Sequence, residues 1–323
     1  MPLIDLPIEE LKRYKGRNPR PTDFDSYWER ALWELKDLDP QLEMVQAGFQ
    51  VAGVECMHLF FQGVGGARVH AKFVRPKETI EPIPAVLLFH GYTANSGDWF
   101  TLLGWAAMGF AVAAMDCRGQ GGLSEDNLQV KGTTRCGHII RGLQDEPDRL
   151  YFRNVFLDTA ELARIVMNMP EIDENRVGAA GASQGGALSI ACAALEPRIH
   201  RIAPCYPFLS DYLRVWEMDL AKDAYGELVE FFRRHDPLHA QRTLWFTRLG
   251  YIDVQYLAPR IEADVMMAVG LMDEICPPST QFAAYNKITA PKQLVTYPDF
   301  GHEPLPGWWD RVVQFMQGMA VEG

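Results

Sequence analysis

Ser183 stands between glycines in Gly181-Ala-Ser183-Gln-Gly185. The preceding residues from Arg176 form a short run of small and β-branched residues, the pattern of a buried strand. From Gly186 to Leu195 the chain resumes as a helix former with an apolar stripe. A G-x-S-x-G at such a junction is the nucleophile elbow, a strained turn that lifts the serine hydroxyl out of the sheet. Its glycines are required because strand and helix approach too closely for a β-carbon. The pentapeptide alone also fits a glycine-rich turn with a capping serine, so its partners must decide.

A serine nucleophile needs a base to take its proton and a carboxylate to orient that base, in the chain order Ser, Asp or Glu, His for this layout. An apolar strand over 265–269 delivers Asp273 beyond its carboxyl end, and the next strand, over 293–297, is trailed by a loop carrying His302. His302 is therefore the expected general base and acid, and Asp273 its orienting carboxylate. Glu274 and Asp299 remain rival carboxylates. Two N–H donors must hold the tetrahedral oxyanion. The expected pair is Gln184 N–H, next after the nucleophile, and Tyr92 N–H, in the His90-Gly91-Tyr92 turn after a strand over 85–89. The remaining histidines show no metal-ligand spacing, and no G-x-G-x-x-G opens a helix after a strand. Neither a metal nor any other cofactor is expected.

Further strands are expected over 110–115, 177–180 and 199–203, and helices over 98–108, 151–169, 186–196, 278–289 and 307–318. This alternation predicts an α/β architecture, a doubly wound and mostly parallel sheet, with ligands beyond the carboxyl ends of its strands. Residues 1–40 read as an N-terminal extension whose stripe Phe24, Tyr27, Trp28, Leu32 and Leu35 packs on the main body. The alternation between Phe49 and Val74 suggests antiparallel strands turning at Gly63 to Gly66. A polar, glycine-rich loop over 119–150 is too long for an ordinary connection. Residues 207–260 read as a helical cap, and the whole of 1–323 as a single domain.

The 323 residues are 48% hydrophobic and 23% charged, with a net charge of −11. No basic run is present to meet nucleic acid or an anionic membrane. The opening residues lack the basic start and apolar core of a secretory signal, and no apolar run is long enough to span a bilayer. The six cysteines are scattered and read as reduced core thiols. A cytoplasmic location is the expectation.

Four segments together resemble the acetyl xylan esterase / cephalosporin C deacetylase family, carbohydrate esterase family seven. They are Arg118-Gly-Gln-Gly121, Gly181-Ala-Ser-Gln-Gly185, the run from Gly270 to Thr280, and Gly301-His-Glu303. The resemblance implies the α/β-hydrolase fold and deacetylation of small acetylated sugars such as xylo-oligosaccharides, and of cephalosporin C. It carries the triad onto Ser183, Asp273 and His302 and the oxyanion donors onto Tyr92 and Gln184. It further implies that Tyr92, Phe208 and Ile275 line a small acyl pocket, and that Arg118 and Glu303 pair to brace the site. A homohexamer is implied too, with residues 119–150 as an interface arm. Where the family often has a tyrosine and glycine run after the His-Glu pair, this chain has Pro304-Leu-Pro-Gly-Trp-Trp309, which alters the pocket rim. Two other readings of the same residues are a prolyl-peptidase-like hydrolase of small amides and a non-catalytic receptor on a hydrolase fold.

Overall fold

Ala85, Leu87 and Phe89 face one apolar cluster while Val86 faces another, and the same alternation divides Ala111, Ala113 and Met115 from Val112 and Ala114. Strands buried on both faces need helices on both sides, and that requirement organises the molecule. The computed structural model describes residues 4–131 and 138–321. The strands are β1 (Glu43–Gln46), β2 (Val54–Gly63), β3 (Ala67–Pro76), β4 (Ile83–Phe89), β5 (Ala111–Met115), β6 (Ile172–Ala182), β7 (Arg201–Cys205), β8 (Asp264–Gly270) and β9 (Lys292–Tyr297). They form one nine-stranded sheet in the order β1-β2-β3-β5-β4-β6-β7-β8-β9. The strands from β4 onward run parallel to their neighbours, and β1, β2 and β3 extend the sheet antiparallel beside β5.

The helices are α1 (Ile8–Leu11), α2 (Phe24–Lys36), α3 (Trp99–Ala107), α4 (Tyr151–Met167), α5 (Gln184–Leu195), α6 (Tyr212–Glu217), α7 (Gly226–His235), α8 (Arg242–Leu249), α9 (Val254–Leu257), α10 (Pro278–Tyr285) and α11 (Trp308–Val321). Helices α3 and α11 cover one face of the sheet through Leu102, Trp105, Val312 and Met316, while α4 and α5 cover the other. Helix α4 is buried almost all round because α2 lies over its outer side. Trp28 stacks on Phe156 at 6.0 Å, and Tyr27 donates its hydroxyl proton to Pro147 O at 2.8 Å. The aromatic stripe of the N-terminal extension is thus part of the core, and without it a greasy face of α4 would meet water.

The expected strands and helices all form, with bounds shifted by a few residues. Two differences have physical causes. Strand β1 was not anticipated because Glu43-Met-Val-Gln46 is exposed throughout; it is an edge strand held by backbone pairing to β2, not by an apolar pattern. Helix α5 begins at Gln184, two residues before the sequence expectation, because Gly185 is selected by a close backbone approach and not by helix propensity. Residues 207–260 contribute α6, α7, α8 and α9, and no strand forms there. Cys56, Cys117, Cys192, Cys205 and Cys276 are buried and unbridged; Cys136 and part of the 119–150 loop, residues 132–137, lie outside the described residues. No helix among the described residues is long and apolar enough to cross a membrane.

Candidate active site

Strand β6 ends at Ala182, and Ser183 takes φ 57° and ψ −118° before α5 begins. Such a conformation persists only where the surroundings over-determine it, and here they do. Ser183 N–H donates to Cys205 O at 3.0 Å, while Ser183 O accepts from Ala187 N–H and Phe208 N–H, each at 3.1 Å. A β-carbon at Gly185 would lie 2.0 Å from Phe89 O, and one at Gly181 2.6 Å from the same oxygen. The elbow therefore requires both glycines.

The loops after β8 and β9 are brought together in a similar way. A β-carbon at Gly270 would lie 2.5 Å from Phe300 O, and Met272 N–H donates to that oxygen at 2.9 Å. This contact carries Asp273 and His302 to the same edge of the sheet. His302 Nδ1 lies 2.9 Å from Asp273 Oδ2, and His302 Nε2 lies 3.0 Å from Ser183 Oγ. Asp273 is fully buried. Its Oδ1 accepts from Ile275 N–H at 2.9 Å and Cys276 N–H at 2.7 Å, and its Oδ2 also accepts from Gln281 Nε2 at 3.2 Å. Every contact to the carboxylate is a donor, so Nδ1 of His302 carries the proton and Nε2 is left to accept from the serine. The rival carboxylates point elsewhere: Glu274 pairs with Lys222 at 2.8 Å, and Asp299 is exposed.

The turn after β4 is held from two sides. His90 donates from Nδ1 to Gly91 O at 2.7 Å and accepts at Nε2 from Cys117 N–H at 3.0 Å. Burial pushes its pKa down, in keeping with this neutral role. Gln120 Oε1 accepts from Thr93 N–H at 2.8 Å, and its Nε2 donates to Gln184 Oε1 at 2.8 Å. One amide thus ties the turn bearing Tyr92 to the first residue of α5. Gln184 N–H, at that first position, has no carbonyl one turn back to receive it, and the positive end of the helix dipole adds to its pull on an anion. Phe208 is buried against the rings of Tyr92 (5.3 Å) and Tyr225 (4.4 Å), and Ile275 is half-buried two residues from Asp273.

The expected pairing of Arg118 with Glu303 is corrected. Arg118 makes a buried bidentate pair with Asp158 of α4, at 2.5 and 2.7 Å. Leaving β5, its side chain passes beneath α4, where a β-carbon at Gly63 would collide with it. Glu303 instead accepts from Gly301 N–H at 3.0 Å and shapes the loop that carries His302. Asp273, Cys276 and His302 offer ligand atoms within 4.8 Å of one another. They suit a proton relay better than a cation, since the hydrogen bonds already engage both ring nitrogens and both carboxylate oxygens. Burial and the Asp273 charge also keep the Cys276 thiol protonated. Sequence reasoning assigned no role to Gln120, Gln281 or Glu227, whose parts depend on contacts distant in the chain.

A sequence model described as acetyl xylan esterase (AXE1) matches residues 1–319. The acetyl esterase Axe7A of Xylanibacter ruminicola is 26% identical over 296 residues; the match spans 90% of this chain and 64% of that protein. The crystal structure of acetyl xylan esterase 1 from Thermoanaerobacterium sp. JW/SL YS485 superposes with a TM-score of 0.97 at 56% identity, covering 98% of this chain and 99% of that one. The acetyl xylan esterase from Paenibacillus sp. R4 gives 0.92 at 34% identity, covering 97% and 99%. With the mixed nine-stranded sheet, these likenesses make this an α/β-hydrolase fold. The chain belongs to the acetyl xylan esterase family.

Proposed function

We propose that the chain is a serine esterase that removes acetyl groups from acetylated xylo-oligosaccharides through an acyl-enzyme intermediate. The observation that carries this reading is the line Asp273–His302–Ser183, ending on a strained serine at the start of a helix. Ser183 Oγ attacks the ester carbonyl carbon while its proton passes to His302 Nε2. The resulting oxyanion is held by the N–H groups of Gln184 and Tyr92. Asp273, buried and already bonded to the ring, stabilises the imidazolium. Collapse of the intermediate breaks the bond to the sugar oxygen, which takes the proton from His302. Water then attacks the acetyl-serine by the same route, releasing acetate and restoring the serine.

The names of the relatives support acetylated xylan as the substrate class. The acetyl ester of cephalosporin C belongs to the same reading, because the chemistry is confined to a small acyl group and an alkoxy leaving group. Phe208 and Ile275 are assigned as walls of the acyl pocket, which favours acetate over longer acids. A homohexamer joined through residues 119–150, a single domain over 1–323 and a cytoplasmic location complete the proposal. Ser183→Ala should abolish acetate release from acetylated xylo-oligosaccharides and from 4-nitrophenyl acetate. Retained turnover would overturn the mechanism.

A further inference from the structure

Glu227, in the first turn of α7, carries a carboxyl that the acyl-transfer steps leave unused. It is only 5% exposed, and burial pushes its pKa up to about 8. Its Oε1 lies 2.5 Å from Tyr92 Oη, and its Oε2 accepts from Ile140 N–H at 3.2 Å. The N–H groups of Ile139 and His138 act on the same carboxyl, and His138 N–H also reaches Tyr92 Oη at 2.5 Å. Three segments remote in sequence therefore meet at one side chain: the turn after β4, the end of the 119–150 loop and the cap helix.

Gly91 O, in the peptide that bears Tyr92 N–H, accepts from His90 Nδ1 at 2.7 Å and from Ala94 N–H at 3.1 Å, so the backbone of the turn is bonded and the Tyr92 side chain needs its own hold. Gln120 holds Thr93 N–H, and packing on Phe208 holds the Tyr92 ring from one side. The bonds of the phenol to Glu227 and His138 N–H, with the edge contact to the His138 ring at 5.8 Å, set where the ring ends and brace the residue whose N–H follows Gly91. Placing a carboxyl in this interior is costly unless donors surround it, and the donors here are the phenol and the N–H groups of the neighbouring loop.

We infer that Glu227 is a positioning residue for the oxyanion turn: through Tyr92 Oη it braces Tyr92 from the side chain, so that Tyr92 N–H keeps its direction as the tetrahedral intermediate forms. This rests on the acyl-transfer reading above. The test measures steady-state kinetics on 4-nitrophenyl acetate and the rate of labelling by a serine-directed phosphonate. The proteins compared are the full-length chain, Glu227→Ala, Glu227→Gln, Tyr92→Phe and the Glu227→Ala/Tyr92→Phe double variant. Removing one aligned oxyanion donor costs on the order of 100-fold in kcat. Misaligning it should cost about 10- to 100-fold in Glu227→Ala and in Tyr92→Phe, with KM within about 3-fold. Phosphonate labelling should slow in parallel, because that adduct uses the same donors. The double variant should be no slower than the worse single one, since both act through one bond.

Glu227→Gln keeps an acceptor for the phenol and should retain kcat within about 5-fold, so with Tyr92→Phe it carries the test even if Glu227→Ala does not fold. The inference is overturned if Tyr92→Phe keeps kcat within about 2-fold, if losses fall on KM or thermal stability alone, or if the double variant's losses multiply. A wild-type protein that neither turns over the ester nor takes the label would overturn the acyl-transfer reading as well. Full wild-type turnover with unchanged variants overturns only the role of Glu227.

Discussion

Among the described residues, a carboxylate holds an imidazole that faces a third polar group in each of two hydrogen-bonded lines. In one, Asp273, His302 and Ser183 are spaced at 2.9 and 3.0 Å. In the other, Asp116, His70 and His58 are spaced at 2.6 and 2.8 Å. Both carboxylates follow the carboxyl end of a parallel strand, β8 or β5. Line geometry therefore does not separate them, and the surroundings do. The His302 side chain keeps 17% of its surface exposed and faces a hydroxyl on a strained turn, beside a helix start with a free N–H. His70 is wholly buried inside β3 and faces a second imidazole, which is no acyl acceptor of comparable use. Asp116 also spends its oxygens on Ser96 N–H at 2.6 Å and Leu123 N–H at 2.9 Å, fastening the two loops that flank the site. A carboxylate–imidazole pair becomes a catalytic device only where a nucleophile, an oxyanion site and an opening meet it.

The comparison is open to attack at several points. The largest effect belongs to Ser183→Ala, expected to lower kcat by about 10⁵-fold or more on an aryl acetate. Asp273→Asn should preserve the fold yet lose on the order of 10⁴-fold, because the amide would fix the wrong tautomer of His302. His70→Ala probes the other line. Leaving Asp116 buried without its imidazole should reduce unfolding free energy by about 3 kcal/mol, read by chemical denaturation, while kcat of the folded enzyme stays within about 2-fold. A large fall in kcat there would erase the distinction between the two lines.

Phe208→Ala should raise the kcat/KM for a butyrate ester relative to the acetate by roughly 10-fold, since each accommodated methylene is worth about 1–3 kcal/mol. An unchanged ratio would remove Phe208 from the acyl pocket. The smallest effect concerns acid stability. Burial alone would raise the Asp116 pKa, but hydrogen bonds from His70, Leu123 N–H and Ser96 N–H overcome it and hold the group down to about 2. A carboxyl lowered from its ordinary 3.8 stabilises the fold above that pH and loses the contribution as pH falls through about 2. The melting temperature should therefore drop over that window by an amount reflecting on the order of 1–2 kcal/mol, and His70→Ala should flatten the drop.

Local pattern determined much of this. The G-x-S-x-G at a strand-to-helix junction and the apolar runs of β4 through β9 are properties of neighbouring residues, and the order Ser183, Asp273, His302 is a property of the linear chain, so all are legible in one dimension. Strand β1 was not, because an exposed edge strand has no burial pattern to read. The sequence favours Asp273 over Glu274 and Asp299 by its place beyond β8, and the packed chain brings its Oδ2 to 2.9 Å from His302 Nδ1. Arg118 belongs with Asp158 and not Glu303 because β5 exits beneath α4, a relation between elements that no motif records. Glu227 is the furthest case, an ordinary helix glutamate in sequence whose meaning comes from Tyr92 and residues 138–140 closing around it. Periodicity and spacing report what a residue does with neighbours a few positions away; a buried polar group is defined by donors that only the packed chain can bring to it.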